Sequence, residues 1–196
     1  YSLGVRSRHF EGERKIFGTE KSSKSVVRDS EKCVLCGRCV RVCAEVQGVH
    51  NLSQQHRGFD TVVTPAHESN MDDSVCIQCG QCINACPTAA FLEKHNTGLV
   101  WDALADPEQV VLVQTAPSIR AAIGEGFGLP PGTPETGRMI TALRKLGFDA
   151  VFNTNFGADL TIVEEANEFL GRLENGPLPM IPSCSPGWVN FMAAFY

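Results

Sequence analysis

The chain has 196 residues, nine of them cysteine, with a formal net charge of −5, 43% hydrophobic and 20% charged residues. At about 150 residues per domain this length allows one or two domains. The composition excludes wholesale disorder, and without a run of about 18 apolar residues no membrane span is expected.

No charged stretch followed by an apolar segment signals secretion. Because the chain opens on Tyr1 and not on methionine, a further segment upstream is expected. Residues 1–30 carry seven Lys/Arg, Arg28 among them, against four acids, a net +3 that leaves −8 for the rest. They lack the aromatic interleaving and the dense basic run of a nucleic-acid binder. Residues 1–25 therefore read as a linker or docking arm, and no nucleic-acid partner is expected.

Next come eight cysteines in two copies of one pattern, C-x2-C-x2-C-x3-C: Cys33, Cys36, Cys39, Cys43 and Cys76, Cys79, Cys82, Cys86. Three thiolates at steps of three residues can each reach one iron of a cubane, and in two-cluster ferredoxins the fourth ligates the other cluster. On that pattern Cys33, Cys36, Cys39 and Cys86 take one 4Fe-4S cluster, and Cys76, Cys79, Cys82 and Cys43 the other. Cys86-Pro87 reproduces the usual terminal pair, whereas Cys43 is followed by Ala44. Structural zinc and disulfides are the rival readings. Zinc sites pair two C-x2-C knuckles, which leaves a third cysteine in register surplus, and an odd total fits a disulfide framework poorly.

Gly37 and Gly80 permit backbone turns that aim amides at a cluster, and Val34, Leu35, Val40, Ile77, Ile83 and Ala85 limit solvent there. Between the motifs, Ala44 to Val75, the stretch Arg57–Val63 predicts a hairpin strand. His50, His56 and His67 also fall here and read as solvated loop residues more than ligands. Residues 26–96 thus predict an α+β ferredoxin-like domain with two 4Fe-4S clusters.

After Lys94 the pattern changes to alternating strand and helix signals. Val110–Val113 predicts a strand buried on both faces. Pro117 and Ser118 open a short helix through Ala122, and a second helix runs from Pro134 to Leu146, stopped by Gly147. Ala150–Phe152 predicts a strand, Asp159–Leu173 a third helix, and Met180–Ile181 a last strand ending at Ser183-Cys184-Ser185-Pro186-Gly187-Trp188. This β-α-β-α-β order predicts part of an α/β domain with a parallel sheet, with Cys184 at a strand's C-terminal end, where ligands gather. Trp188, Phe191, Met192 and Phe195 on a following helix lack an obvious partner, so that helix is expected to pack on chain beyond these residues.

The duplicated cysteine motif, Thr115-Ala116-Pro117-Ser118, Phe156-Gly157-Ala158-Asp159-Leu160-Thr161 and Ser183-Cys184-Ser185-Pro186-Gly187-Trp188 together resemble the FeFe-hydrogenases from about Phe10 to Tyr196. The likeness is greatest to the catalytic subunit of multisubunit, NAD(P)-linked, electron-bifurcating enzymes. It implies that residues 97–196 are the incomplete N-terminal part of an H-cluster domain. That cluster is a 4Fe-4S cubane bridged to a diiron subcluster with CO and CN ligands, held by four cysteines from three motifs, of which these residues supply the first.

The family pattern has two adjacent cysteines before Pro-Gly-Trp, the first a proton carrier and the second a cubane ligand. Aligned on Pro186-Gly187-Trp188, Cys184 takes the carrier position and Ser185 the ligand position. Either the ligand role is shifted, or the cubane is held differently, or this is a homologue without an H-cluster. A thiol suits the carrier role because its pKa is accessible. The resemblance also carries the family's proton path onto Glu165 and Glu168, which share a helix face; the competing reading is a solvated acidic face that includes Glu164.

The implied function is electron transfer through two 4Fe-4S clusters to an H-cluster for reversible hydrogen oxidation. The alternative is an H-cluster-free subunit passing electrons between flavin and iron-sulfur partners. Expected partners are flavin or NAD(P)-binding and iron-sulfur subunits, in a reducing cytoplasm.

Overall fold

The computed structural model describes Gly4, residues 11–13 and residues 16–196. Part of the expected docking arm, including Arg6, Arg8, Arg14 and Lys15, lies outside the described residues. The chain forms two compact units: residues up to Lys94 together with Ser183–Tyr196, and His95–Pro182.

In the first unit the elements run β1 (Thr19–Glu20), β2 (Val26–Asp29), α1 (Arg38–Arg41), β3 (Ser53–Gln55), β4 (Val62–Thr64), α2 (Gln81–Ala85) and β5 (Phe91–Glu93). Strands β1, β2 and β5 form one antiparallel sheet with β2 central, and β3 pairs with β4 in a second. The fold therefore begins inside the stretch read as an arm. Ser23 is fully buried, its hydroxyl accepts from the N–H of Val26 at 3.1 Å, and Lys94 Nζ donates to the carbonyls of Lys21 and Ser23. On β2 the two-residue alternation buries Val26 and Arg28. Val26, Leu52, Val63, Met71 and Phe91 form the core with Cys39 and Cys82.

The hairpin strand expected over Arg57–Val63 starts later. Gly58–Asp60 is a 3-10 turn, with Gly58 at φ 61°, closed by the N–H and hydroxyl of Thr61 on the Gly58 carbonyl at 3.3 and 2.9 Å. Only Val62–Thr64 remains extended, and all three residues are buried.

The second unit holds α3 (Thr97–Ala105), β6 (Leu112–Thr115), α4 (Ile119–Ala122), α5 (Thr136–Leu146), β7 (Ala150–Asn153) and α6 (Thr154–Asn175). Strands β6 and β7 are parallel, with Leu112 opposite Ala150 and Thr115 opposite Asn153. Helix α5 buries Met139 and ends at Gly147, whose φ of 109° lets its N–H reach the last carbonyls. Helix α6 starts five residues before the expected Asp159, because the Asn153 side chain accepts from the N–H of Asn155 at 3.0 Å and caps it directly after β7.

Two expectations for this unit are corrected. Met180–Ile181 forms no strand; Pro177, Pro179 and Pro182 remove the N–H groups that a ladder needs there. Among the described residues the parallel sheet thus has two strands, and Val110 and Leu112 are exposed where both faces of a strand were expected to be buried.

The final helix, α7 (Pro186–Phe195), belongs to the first unit and begins with Pro186 in its first turn. On one side it meets the second cysteine loop, while Trp188, Val189, Phe195 and Tyr196 stay exposed, as a helix expected to pack on chain beyond these residues would leave them. Asn190 Nδ2 donates to the Ile77 carbonyl at 3.5 Å, and a Cβ on Gly187 would stand 3.7 Å from Cys79 Cβ, ordinary van der Waals contact. Phe191 packs on Phe195 and Tyr196. No helix among the described residues is long and apolar enough to cross a membrane.

Candidate metal centres

The two cysteine motifs fold as copies of one another. Leu35 and Gly37 in the first, and Gln78 and Gly80 in the second, adopt left-handed backbone at φ 54°, 71°, 59° and 74°. Each glycine is the N-cap of a short helix, α1 or α2. The left-handed turn brings the Leu35 N–H within 3.4 Å of Cys33 Sγ, and the Gln78 N–H likewise serves Cys76. Exposure repeats as well: Cys36 and Cys79 are exposed, Cys39 and Cys82 buried, and the outer four intermediate.

Helices α1 and α2 pack side by side, which carries the last cysteine of each motif across to the other. One cavity is lined by Cys33, Cys36, Cys39 and Cys86 together with Val34, Val63 and Phe91. A second is lined by Cys43, Cys76, Cys79 and Cys82 together with Val26, Leu52 and Met71. All nine cysteines are unpaired, so none is spent on a disulfide. Among the described residues no three His, Cys, Asp or Glu side chains converge as a single ion requires. Four soft thiols spaced around an apolar cavity fit a cubane, not one tetrahedral zinc. None of the three loop histidines lines either cavity, and His56 Nε2 pairs with Glu68 Oε1 at 2.5 Å.

Burial pushes the Cys39 thiol up to about 11 and the Cys82 thiol up to about 12, and repulsion from neighbouring thiolates adds to it. Cys76 is raised by burial too. At Cys86 burial opposes ionisation, but the N–H groups of Thr88, Phe91 and Ala90 and the Thr88 hydroxyl outweigh it and draw the thiol down. A metal bound at these thiols would displace their protons, and the amides that aim at sulfur stabilise the thiolate form.

The remaining candidates sit in different surroundings. Cys184 is exposed. Its neighbour Ser185, with Trp188 and Phe191, borders an open cavity of about 1010 Å³ whose other wall includes Lys24, Gln78 and Cys79. Glu165 is half-buried beside Phe169, Met180 and Pro182. Glu168 is exposed and held by Arg172, which donates through Nε at 2.9 Å and through Nη2. Sequence reasoning missed one buried charged residue beside the thiol cavities, Arg28, which it counted only among the Lys/Arg of residues 1–30. The alternation Val26-Val27-Arg28 was the available signal.

The fold and the thiol geometry define an iron-sulfur electron-transfer module followed by an α/β segment. Residues 32–90 match the 4Fe-4S dicluster domain family, and residues 109–196 match the C-terminal domain of the iron-only hydrogenase large subunit. The chain is 49% identical over 196 residues to the NADP-reducing hydrogenase subunit HndD of Solidesulfovibrio fructosivorans, covering 96% of this chain and 34% of that protein. It is 48% identical over 178 residues to iron hydrogenase 1 of Clostridium pasteurianum, 90% of this chain and 31% of that one. The periplasmic [Fe] hydrogenase large subunit of Nitratidesulfovibrio vulgaris is 43% identical over 96 residues, 47% of this chain and 23% of that protein. The chain thus joins a 4Fe-4S dicluster domain to an iron-only, or FeFe, hydrogenase domain and is similar along most of its length to such hydrogenases. It spans about a third of the length of the first two relatives.

Proposed function

We propose that these residues conduct electrons through two 4Fe-4S clusters toward the H-cluster of a hydrogenase. Cys33, Cys36, Cys39 and Cys86 hold the first cluster, and Cys76, Cys79, Cys82 and Cys43 the second. The observation that carries this reading is the exchange of fourth thiols: each cavity draws three cysteines from one motif and one from the other. Two sites that trade ligands this way lie close together, as a one-electron wire requires. Apolar walls exclude water, and the left-handed turns supply amides to sulfur, so the protein sets the potential through hydrogen bonding and burial.

In the longer protein the H-cluster supplies the reversible chemistry of hydrogen and protons. Here Pro186–Trp188 brings its motif against the Ile77–Cys79 loop, which makes the second cluster the near end of the wire. Cys184 offers the proton-carrying thiol, and Glu165 and Glu168 lie on the preceding helix as relay acids. The first relative's name, a subunit of an NADP-reducing hydrogenase, supports a hetero-oligomeric, NAD(P)-linked setting; flavin-binding and iron-sulfur partners, a cytoplasmic location and electron bifurcation belong to the same proposal. One observation favours the H-cluster-free alternative: Ser185, not a second thiol, stands at the cubane ligand position and borders the cavity beside Cys79.

Infrared spectroscopy of the full-length matured protein separates the two, since CO and CN stretches report the diiron site; their absence sinks the hydrogenase reading. For the wire itself, Cys79→Ala is expected to remove one cluster's signal from the reduced-state EPR spectrum. Iron that stays near about eight per chain, two cubanes' worth, would refute the ligand assignment.

A further inference from the structure

A buried cation, Arg28, and a half-buried anion, Glu20, stand opposite one another on the two strands beside the thiol cavities. Strand β2 runs past both: Val26 lines the second cavity, and Arg28, two residues on and on the same buried face, stands beside the first. Arg28 is opposite Phe91 in the sheet, and Phe91 is a wall of the first cavity. Its Nη1 donates to the carbonyl of Val63, another wall, and to Ser30 Oγ, both at 3.1 Å. The Ser30 carbonyl in turn accepts from the N–H of Cys33 at 3.1 Å.

Arg28 is 7% exposed. Burial lowers its pKa, against the pull of Glu20, Cys33 and Glu68, and a guanidinium stays ionised throughout the working range. Across the sheet Glu20 pairs in register with Arg28. Glu20 Oε1 accepts from the N–H of Ser22 at 2.7 Å, while Glu20 Oε2 and Arg28 Nε are both buried without a hydrogen-bond partner. The Glu20 charge is felt at Cys76, in the second thiol set. Arg28 thus stands between Phe91, a wall of the first cavity, on one side of the sheet and the Glu20 carboxylate on the other.

We propose that the buried Arg28 and its cross-strand partner Glu20 act as a charge couple that makes the first cluster site easier to reduce than the second. The inference rests on the ligand reading above. Reduction adds one electron, and so one negative charge, to a site. A fixed cation in a poorly screened interior favours that charge, and a carboxylate opposes it. Arg41 and Lys24 also lie near the loops, but both are exposed and water screens them. Neither Arg28 nor Glu20 touches the reacting atoms; they are tuning residues. An electron entering the wire then rests on the first site, and the second fills only when a further electron arrives.

The test is a redox titration of the cluster-loaded chain with dithionite, which supplies one electron per site, followed by EPR. Cys36→Ser and Cys79→Ser assign the two signals. In the unaltered chain the first site's signal is expected to appear at the higher potential. Arg28→Gln should lower the first site's potential by about tenfold in its reduced-to-oxidised ratio, which is 59 mV for one electron, and move the second by less than about threefold. Arg28→Lys, which keeps the charge and loses the fork, should leave both within about threefold, and Glu20→Gln should raise the second site's potential. Equal shifts for Gln and Lys at Arg28, or none, overturn the proposal. Should Arg28→Gln fail to load its clusters, Glu20→Gln decides alone, and unchanged potentials there overturn it as well. If Cys36→Ser and Cys79→Ser disturb the same signal, the ligand assignment has failed and not the charge couple.

Discussion

The two units keep their apolar residues in different places. Among the described residues the buried apolar side chains lie before Lys94 except Met139, whereas after it Val110, Leu112, Phe152, Phe156 and Leu160 are all exposed. The first unit has few large side chains to bury, and its core is built from Val26, Leu52, Met71 and Phe91 packed against cysteines. Its interior is organised around thiols, which the cluster reading has metal hold together. The second unit relies on ordinary secondary structure, with helices long enough to persist and a two-stranded parallel sheet that leaves Leu112 and Phe152 exposed. One unit therefore depends on its cofactor and the other on its helices.

Removing iron tests that difference most severely. Anaerobic chelation is expected to abolish the first unit's cooperative melting transition while α5 and α6 keep their circular-dichroism signal. Metal affinity here is folding free energy, on the order of 10 kcal/mol for structural sites. Equal loss in both units would show that the second leans on the first. Reloading should carry a pH signature of fixed sign. Cys39 and Cys82 titrate at about 11 and about 12 in the metal-free chain, so each must release a proton to bind. Reconstitution followed by iron-sulfur absorbance should accordingly grow more complete from about pH 7 to pH 9, and a flat profile would contradict the raised thiols.

A pair of truncations sharpens the comparison at the level of single side chains. Phe91 is 2% exposed and Phe152 56%. In the loaded protein Phe91→Ala is expected to cost about 3–5 kcal/mol by denaturant melting, transfer and cavity effects together. Phe152→Ala, on the open face of β7, should cost less than about 1 kcal/mol. Similar costs at both positions would mean that the face carrying Phe152 is covered in solution.

How far the sequence disclosed this arrangement follows the same division. Cysteine spacing placed both thiol sets, and Gly37 and Gly80 marked the left-handed turns, because a cubane's reach is a local constraint that a local pattern can express. Helix α5 was legible for a similar reason, with Met139 and Ile140 on its periodic face and Gly147 at its end. The rest depended on distance. Arg28 looked like one more surface cation, since its partners Val63 and Glu20 come from other strands. Helix α3 escaped notice because Leu99, Val100 and Trp101 are consecutive and give no single apolar stripe. Three prolines silenced the apparent strand at Met180–Ile181, and no pattern within α7 names Ile77 as its partner.

The smallest effect on stability falls on the acid whose role is most contested. Glu168 sits on the exposed side of α6, four residues before Arg172, and such surface pairs are worth at most about 0.5 kcal/mol. Glu168→Gln should therefore leave melting and iron content nearly unchanged. A relay acid is a different matter, because removing a group that passes a proton in the rate-limiting path slows turnover by about a hundredfold or more. The two readings of one carboxylate, solvated partner of Arg172 or proton carrier, separate cleanly on hydrogen turnover in the full-length protein. Arg172→Gln is the control: it breaks the ion pair and keeps the acid, so a relay predicts turnover near that of the unaltered protein, with only Glu168→Gln slow. If both variants turn over normally, the acidic face of α6 is solvent-facing only, and the proton path to Cys184 must run through other residues.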